Sequence, residues 1–281
     1  MIKAENVVYE YIRRDSDNNV TDIVKAIDDV SFVISKGQFV SIVGHNGSGK
    51  STLAKHLNGL LKPTEGIIWI DGIDTSKDEM MLEVRQTTGM IFQNPDNQIV
   101  SGIVEEDVAF GPENIGIPTE EIGKRVEESL KMVGMYEYRE MSPNRLSGGQ
   151  KQRIGIAGVL AMKPSCIVLD EPTAMLDPGG RKEVLKAIKK LNDSENITIV
   201  LITHNMEETL TSDVIMVMNN GKIVMSGTPE YIFSKAALLE NCGLELPEIV
   251  KIAEGLRQKG INIPQGVLTI DDLTDAIINL R

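Results

Sequence analysis

The sequence has few of the features that would place it inside a membrane or outside the cell. No apolar run in its 281 residues approaches the roughly 18 residues that a membrane-spanning helix needs. The opening MIKAENVVYEY lacks the charged-then-apolar order of a signal peptide. The two cysteines, Cys166 and Cys242, have no metal-ligand spacing, and a disulfide is not expected without secretion. We therefore expect a cytosolic chain, or one held at a membrane by a partner.

Positive charge is also scarce. The formal net charge is -12, and lysine and arginine do not gather into a long block. Unaided binding to nucleic acid or to an anionic lipid surface is therefore disfavoured, because both partners repel an acidic surface. The length is sufficient for one substantial domain with additions.

Short apolar runs alternate with helical segments along the chain. QFVSIVG (38–44), CIVLD (166–170) and ITIVLIT (197–203) are apolar without alternation, which is typical of central parallel strands. Asp177 and Pro178 stand at the N-cap and first position of a predicted helix. The pattern predicts an α/β fold with a mainly parallel sheet covered by helices.

Two regions depart from this alternation. Residues 94–161 show only helical periodicity, which predicts a helical insert in the α/β core. After a predicted hairpin turn at Asn219–Gly221, two short amphipathic helices follow, the second with Thr269 and Asp272 spaced as a capping box. We predict a cassette domain over 1–244 and a helical appendage over 245–281, whose apolar stripes support either subunit pairing or packing on its own cassette.

The stretch GHNGSGKS has the residues of a phosphate-binding loop. Its glycines let the backbone curl so that successive N–H groups face phosphates, Lys50 reaches the β/γ oxygens, and the Ser51 hydroxyl ligates Mg²⁺. A chance glycine-rich turn is the alternative, which the position between an apolar strand and a helix disfavours. The predicted nucleotide contacts here are Gly44, His45, Asn46, Gly47, Ser48, Gly49, Lys50, Ser51 and Thr52.

CIVLDEP supplies two carboxylates at the end of a strand. Asp170 is expected beside the metal, and Glu171 accepts a proton from an attacking water unless it is merely a solvated loop residue. His204 ends another predicted strand and can contact a γ-phosphate, although a lone histidine there is more often structural. Gln93 precedes Asn-Pro, which by itself only marks a turn.

RLSGGQ predicts a second anion site. Ser147 is a natural N-cap, and Gly148 and Gly149 leave amides uncovered at the positive end of the following helix. One phosphate loop already provides an anion site, so this second one needs a separate ligand.

Taken together, these motifs resemble the ATP-binding cassette (ABC) ATPases over roughly 1–227. The phosphate loop, Gln93, LSGGQ, IVLDEP, MLDP and THN stand in that family's order. The resemblance implies a P-loop NTPase cassette with a mainly parallel core sheet, an antiparallel β part and an inserted helical subdomain. It also implies ATP hydrolysis with these roles: Lys50 on the phosphates, Ser51 and Asp170 at Mg²⁺ with Gln93 nearby, Glu171 as general base, His204 as γ-phosphate switch, and Tyr11, or Tyr9 in its place, on adenine.

The family also gives LSGGQ a ligand. In ABC ATPases this motif closes on the nucleotide held by another subunit, so Ser147, Gly148, Gly149 and Gln150 are expected to contact a partner's ATP. ATP then favours the closed dimer, whereas ADP and phosphate release it, because the motif contacts a γ-phosphate that exists only before hydrolysis.

A finer resemblance is to the ATPases of energy-coupling factor transporters. It rests on His45, FQNPDNQIV, VEEDVAFGPEN, TAMLDP and the C-terminal helices. It implies an importer for a vitamin or a transition-metal ion, in which a pair of ATPase chains lies on the cytoplasmic face of the membrane through a transmembrane scaffold and a substrate-binding subunit. Another ABC transporter and a soluble ATP-gated clamp are the alternatives.

The same resemblance implies a contact with the scaffold. We expect it in residues 94–114, with a groove lined by apolar residues and rimmed by carboxylates. The expected residues are Ile99, Val100 and Val104 in the groove and Asp96, Glu105, Glu106 and Asp107 on the rim, unless these acids form an ordinary solvated face.

Overall fold

The structure is a computed structural model that describes residues 1–280, so Arg281, the last residue of the predicted appendage, lies outside the described residues. The strands are β1 Ile2–Arg14, β2 Val20–Ile34, β3 Phe39–Val43, β4 Glu65–Ile70, β5 Ile73–Asp74, β6 Thr88–Ile91, β7 Cys166–Asp170, β8 Thr198–Thr203, β9 Val214–Asn219 and β10 Lys222–Gly227. The α-helices are α1 Lys50–Leu57, α2 Met81–Thr87, α3 Val104–Asn114, α4 Thr119–Met132, α5 Gly148–Ala161, α6 Pro178–Glu195, α7 Pro229–Phe233, α8 Ala236–Asn241, α9 Glu248–Gln258 and α10 Ile270–Ile278.

The larger sheet has six strands in the order β10-β9-β3-β8-β7-β6. The five strands from β9 to β6 run parallel, and β10 pairs antiparallel with β9. Every residue of β3, β7 and β8 is buried, which explains why these strands are apolar without alternation. The three predicted strands are thus confirmed, and their carboxyl ends meet at one edge of the sheet.

A second, antiparallel sheet has the order β2-β1-β4-β5. The apolar face of α1 packs between this sheet and one face of the larger sheet, where Leu53 and Leu57 are fully buried beside residues such as Ile42 and Ile68. The polar insertion RRDSDNNVTD forms the end of the long β1–β2 hairpin. This arrangement holds the start of α1 against the strand ends of the larger sheet.

The described residues between β6 and β7 form helices and the turns that join them, and no strand. α3, α4 and α5 pack together, and with α6 they cover the other face of the larger sheet. α4 begins at Thr119 and ends at Met132, two residues before Gly134, whose φ of +69° favours glycine. Asp177 caps α6 through its side chain, with Pro178 at the first position, as the sequence predicts.

The C-terminal helices have two packing surfaces. Val250 and Leu268 join a buried cluster that includes Val43 and Val217 of the larger sheet. A smaller cluster lies between α9 and α10 and consists of Ala253, Ile263, Val267, Leu273 and Ala276. Most of the predicted apolar stripes are therefore used inside the chain, whereas Ile252, Ile270, Ile277 and Ile278 remain exposed. Thr269 and Asp272 form the predicted capping box of α10.

Both cysteines are buried and free, as expected. Burial raises the pKa of the Cys166 thiol to about 12, so this thiol is unreactive at neutral pH. No helix among residues 1–280 combines the length and the apolar character that crossing a bilayer requires.

Candidate functional site

The phosphate loop lies between β3 and α1, as its sequence predicts. Gly47 and Gly49 have φ values of +83° and +104°, a region that strongly favours glycine. A Cβ at Gly44 would lie 2.3 Å from the carbonyl oxygen of Met218, whereas one at Gly47 would meet no atom within 4 Å. The loop is therefore packed tightly against β9 on one side and open on the other, as a backbone cradle for an anion must be.

Lys50 is held inside this loop. Its Nζ donates to the carbonyl oxygens of Gly44 and His45 at 2.8 and 2.9 Å. Burial lowers the pKa of Lys50, and the nearby Glu171 and Asp170 act in the opposite direction. Within residues 1–280 the ammonium forms no ion pair with a carboxylate, so its charge is available to a phosphate.

Ser51 and Asp170 bring two oxygen ligands together from distant parts of the chain. The Ser51 hydroxyl donates to Asp170 Oδ1 at 2.9 Å. Burial raises the pKa of Asp170, the hydrogen bond from Ser51 lowers it, and the adjacent charge of Glu171 raises it further. A hydroxyl beside a buried, poorly neutralised carboxylate suits a hard divalent cation, so these residues fit Mg²⁺.

Glu171 occupies a strained backbone position. Its φ is +48°, which costs a residue with a side chain roughly 1–3 kcal/mol. Its N–H donates to the carbonyl oxygen of Ile202 at 2.9 Å and so ties it to β8. Strain of this kind persists only where surrounding contacts enforce it.

Two side chains flank the carboxylate of Glu171. Gln93 Nε2 donates to Oε2 at 3.3 Å, and His204 Nδ1 lies 3.3 Å from Oε1. Gln93 follows β6, Glu171 follows β7 and His204 follows β8, so adjacency of these parallel strands brings the three together. The sequence predicted each residue separately, and the strand order joins them.

A cleft of about 560 Å³ opens in front of these residues. Gly44, His45, Asn46, Glu171 and His204 line one part of it. Residues 243–248, which lead into α9, line another. Among the described residues, none of the signature turn Ser147–Gln150 reaches this cleft.

Of the two candidate aromatic residues, Tyr11 has the better position for a nucleotide base. Its hydroxyl lies 3.3 Å from that of Thr52, near the start of α1, and the residue is 38% exposed. Tyr9 instead packs edge-on against His56 and Tyr11, with ring centroids 4.7 and 4.9 Å away. This packing leaves Tyr11 as the aromatic side chain beside the phosphate loop.

The signature turn forms a complete helix cap. Ser147 Oγ accepts from the N–H of Gln150 at 3.3 Å, and the Gln150 side chain accepts from the N–H of Ser147 at 2.9 Å. The amides of Gly148 and Gly149 lie in the first turn of α5, where no intrahelical acceptor exists. Gly149 packs on Gly180 of α6, and a Cβ there would lie 3.0 Å from the Gly180 Cα. The turn is rigid and its two free amides suit an anion.

Several contacts at the site were not predicted from the sequence. His45 Nε2 lies 3.1 Å from Asn219 Oδ1, and Glu208 accepts from the hydroxyls of Thr173 and Thr203, beside Glu171 and His204. In the sequence, only the closeness of Thr203 and Glu208 to His204 indicated that they belong to the site, since Thr203 directly precedes His204 and Glu208 follows it by four residues. A glutamate on an irregular turn has no periodicity that would show it to be buried.

Comparison with known proteins gives consistent matches. The ABC transporter family model matches residues 27–174. The chain is 54% identical to the energy-coupling factor transporter ATP-binding protein EcfA1 of Clostridium novyi over 100% of this chain and 99% of that protein. It is 43% identical to EcfA2 of Clostridium tetani over 99% and 96% of the two chains.

Solved structures agree. The chain matches cbiO1 from Clostridium perfringens, described as part of the ABC transporter complex cbiONQ, with a TM-score of 0.75, 36% identity, and 90% and 98% of the two chains covered. It also matches the dimeric post-hydrolysis state of the ATP-binding cassette MJ0796 bound to ADP and Pi, with a TM-score of 0.72, 33% identity, and coverage of 82% and 99%.

Proposed function

The chain belongs to the ABC transporter family and resembles most fully its energy-coupling factor ATP-binding proteins, and we propose that it is the ATP-hydrolysing subunit of such an importer. The observation that supports this most strongly is the meeting of Lys50, Asp170, Glu171 and His204 at one end of the parallel sheet, in front of the phosphate loop. The expected function, fold and recognition by motif are confirmed by the comparisons.

Each residue of the site has a task in hydrolysis. The loop amides and Lys50 bind the phosphates, and Tyr11 stacks on adenine. Glu171 takes the proton from the attacking water, because its carboxylate lies between Gln93 and His204 and the residue lines the cleft. His204 is 53% exposed and donates to the γ-phosphate. Ser51 and Asp170, with Gln93 nearby, would hold Mg²⁺, which would supply positive charge against the charge that develops on the phosphates.

The second anion site acts on another subunit's nucleotide. Ser147, Gly148, Gly149 and Gln150 do not line the cleft of their own phosphate loop. This turn, with the free amides of Gly148 and Gly149, therefore binds the ATP of a second ATPase chain, either a copy or a related chain. ATP then joins the two subunits, and its hydrolysis separates them.

Ser147→Arg tests this arrangement in trans. The substitution places a bulky cation at the exposed cap, where it blocks approach of a partner but does not touch the chain's own phosphate loop. We expect ATP affinity within twofold of the parent by equilibrium binding, together with loss of ATP-driven association in sedimentation and loss of hydrolysis. Lys50→Ala is the comparison, because it weakens ATP binding itself. If Ser147→Arg weakens ATP binding as much as Lys50→Ala, the signature turn belongs to its own subunit's site.

A groove between α3 and α4 is the proposed contact with a transmembrane scaffold. Val100, Glu105, Glu106, Phe110 and Arg139 are among the residues that line it. Phe110 is 51% and Val100 is 61% exposed, so the groove presents apolar surface with acidic residues at its edge. An apolar helix with cationic ends, supplied by a membrane subunit, suits this surface. Through this contact the chain is held peripherally at the membrane, where a separate subunit binds the substrate.

Four residues expected in this contact do not line the groove. Ile99 is half-buried and lies outside it. Val104 is fully buried in the core of the helical region, so its predicted place in the groove is wrong. Asp107 is buried and accepts from the N–H groups of Val100 and Ser101 at 2.7 and 3.0 Å. Asp96 pairs with Lys151 at 2.7 Å. Glu105 and Glu106 therefore remain as the acidic edge, and Asp107 shapes the loop beside it.

Changing Glu105 and Glu106 together to Gln tests the groove. We expect ATP hydrolysis by the isolated ATPase pair to stay within twofold, while copurification with the membrane subunits falls, because two charges of the rim are lost. The double change of Glu120 and Glu128 to Gln on α4 is the control, since it removes equal charge outside the groove. If assembly survives the first double change, the acidic rim does not contribute to the contact.

The exposed apolar residues of the appendage are proposed to support subunit pairing. Ile252, Ile270, Ile277 and Ile278 are exposed apolar side chains on α9 and α10. Truncation after Leu244 tests pairing less cleanly, because it also removes Val250 and Leu268 from a cluster that supports β3 and β9. Surface substitutions on α10 separate the two effects.

A further inference from the structure

Glu208 is a buried carboxylate next to the proposed hydrolytic site, and it is none of the residues that hold the phosphates or the attacking water. It lies in the short 3₁₀ helix Met206–Thr209 that follows His204, and only 2% of its side chain is exposed. A buried carboxylate needs strong hydrogen-bond partners, because removal from water is costly for a charged group. Its partners identify what it does.

Two threonine hydroxyls donate to the two oxygens of Glu208. Thr173 Oγ1 donates to Oε1 at 2.6 Å, and Thr203 Oγ1 donates to Oε2 at 2.7 Å. Thr173 lies two residues after Glu171, and Thr203 comes directly before His204. Hydrogen bonds to a charged acceptor are stronger than neutral ones, so one carboxylate clamps the loops that carry the proposed base and the proposed switch.

The backbone conformation of Glu171 requires restraints of this kind. Glu171 has a strained φ of +48°, so its loop would relax without restraints on both sides. The N–H of Glu171 is tied to Ile202 on one side, and Thr173 is tied to Glu208 on the other. On the β8 side, the N–H of Asn205 donates to Thr203 Oγ1 at 3.0 Å, which continues the network past His204.

Glu208 also faces the helix that begins beside the signature turn. Arg181 Nε of α6 lies 3.8 Å from Glu208 Oε1, and the preceding residue, Gly180, packs on Gly149. The same carboxylate therefore contacts the loop of Glu171, the end of β8 and the start of α6. These are the three segments whose relative positions set the geometry of the site.

We propose that Glu208 is a positioning residue of the hydrolytic site, which holds Glu171 and His204 in register through Thr173 and Thr203. Both of its carboxylate oxygens are occupied by the threonine hydroxyls, and it acts by fixing the loops that carry Glu171 and His204. This inference rests on the proposed ATP hydrolysis. It assigns no new chemistry, because the proton still goes to Glu171.

Thr173 allows the hydroxyl to be separated from the shape of the side chain. Thr173→Val keeps the branched shape and removes the donor, whereas Thr173→Ser keeps the donor and removes a methyl group. We expect kcat for ATP hydrolysis to fall roughly 10- to 100-fold in Thr173→Val, because misplacing a reacting group by about 1 Å costs up to 100-fold. Thr173→Ser should retain kcat within about threefold, since a hydroxyl still reaches Glu208. KM for ATP should change less than twofold in both, because the phosphate loop is untouched.

Glu208→Gln is the companion variant. Its carboxamide has one accepting oxygen for two hydroxyl donors, so one threonine must turn its hydroxyl to accept from the Gln NH₂ instead. That bond is neutral and weaker than a bond to a carboxylate, so kcat should again fall without a change in KM. Combined with Thr173→Val, it should cost little more than either change alone, because both act through one contact. All rates are measured well below each variant's melting temperature.

Asn192→Ala is the control for a merely structural loss. Asn192 is buried and donates to the carbonyl oxygens of Gly37 and Ile197 at 2.8 and 2.9 Å, at the other end of the sheet. It should lower the melting temperature and leave kcat unchanged. If Thr173→Val and Glu208→Gln behave like this control, with lower stability and parental kcat, Glu208 is only a structural residue and the inference is wrong. A parent assembly that hydrolyses no ATP would instead overturn the proposed function, and this inference with it.

Discussion

Replacing Glu171 by Gln separates ATP binding from ATP hydrolysis. The amide has the same shape and the same demand on the backbone at φ +48°, so we expect no change in the fold. With its carboxamide oriented so, the new Gln can accept from Gln93 through its oxygen and donate to His204 through its NH₂. The change therefore removes the proton acceptor and little else.

The expected loss follows from the role of a general base. Such a group contributes about 10²–10⁴-fold to the rate, which corresponds to roughly 3–5 kcal/mol of barrier. The affinity for ATP should increase or stay unchanged. The charge of Glu171 raises the pKa of its neighbour Asp170, which reflects repulsion between the two carboxylates, and a phosphate would be repelled in the same way. We expect MgATP affinity equal to the parent or tighter, with accumulation of an ATP-bound dimer.

The assays are phosphate release at saturating ATP, equilibrium binding of a fluorescent ATP analogue, and sedimentation with and without ATP. Glu245→Gln is the matched control, because it removes a carboxylate from the rim of the same cleft, where Glu245 pairs only with Lys251 among the described residues. It should hydrolyse ATP within twofold of the parent. Turnover by Glu171→Gln within threefold of the parent would refute the assignment of Glu171 as the base.

Three further expectations come from other parts of the molecule. Gly149→Ala should weaken ATP-driven association at least tenfold in sedimentation and leave ATP binding intact, because its Cβ would lie 3.0 Å from the backbone of Gly180. Gly255→Ala is the control, because open space surrounds it, and it should leave association in the same assay unchanged. Asp170→Asn should abolish Mg²⁺-dependent hydrolysis yet raise the melting temperature without nucleotide at pH 7. Burial raises the pKa of Asp170 in the folded chain, so its ionised form lowers stability above that pKa, and the gain should vanish as the pH falls toward the unfolded value of about 4. Ile278→Asp should reduce association in the absence of ATP without lowering the melting temperature, since this side chain is 61% exposed; unchanged sedimentation would argue against pairing through α10.

Local chemistry made much of this protein predictable. The phosphate loop is a continuous stretch whose glycines, Lys50 and Ser51 act on one ligand, so neighbours in sequence are neighbours in space. The caps at Asp177, Ser147 and Thr269 are likewise local, because each side chain binds a backbone amide three residues away. Fully buried parallel strands are recognisable because both their faces must be apolar.

The pattern of apolar and acidic residues did not show which side chains of residues 94–114 lie on the surface. Val104 and Val100 are equally apolar in the sequence, yet one lies in the core and the other in the groove. Asp107 and Glu106 are neighbours in one acidic run, yet Asp107 is buried on the amides of Val100 and Ser101. Which face of α3 turns inward depends on α4 and α5, and these contacts are not encoded in α3 alone.

The sequence by itself determined the parts of the site: a phosphate loop, an Asp-Glu pair at a strand end, a histidine at another, and a second helix N-terminus for an anion. Only the tertiary structure decided how they meet. The order β3-β8-β7-β6 places Ser51 against Asp170, 119 residues away, and Gln93 and His204 on either side of Glu171. It also turned Glu208 inward onto Thr173 and Thr203, while the adjacent Glu207 accepts from the N–H of Glu248 at the start of α9. The physical reason is that the order of strands and the packing of irregular turns are set by long-range burial, which no short stretch of sequence contains.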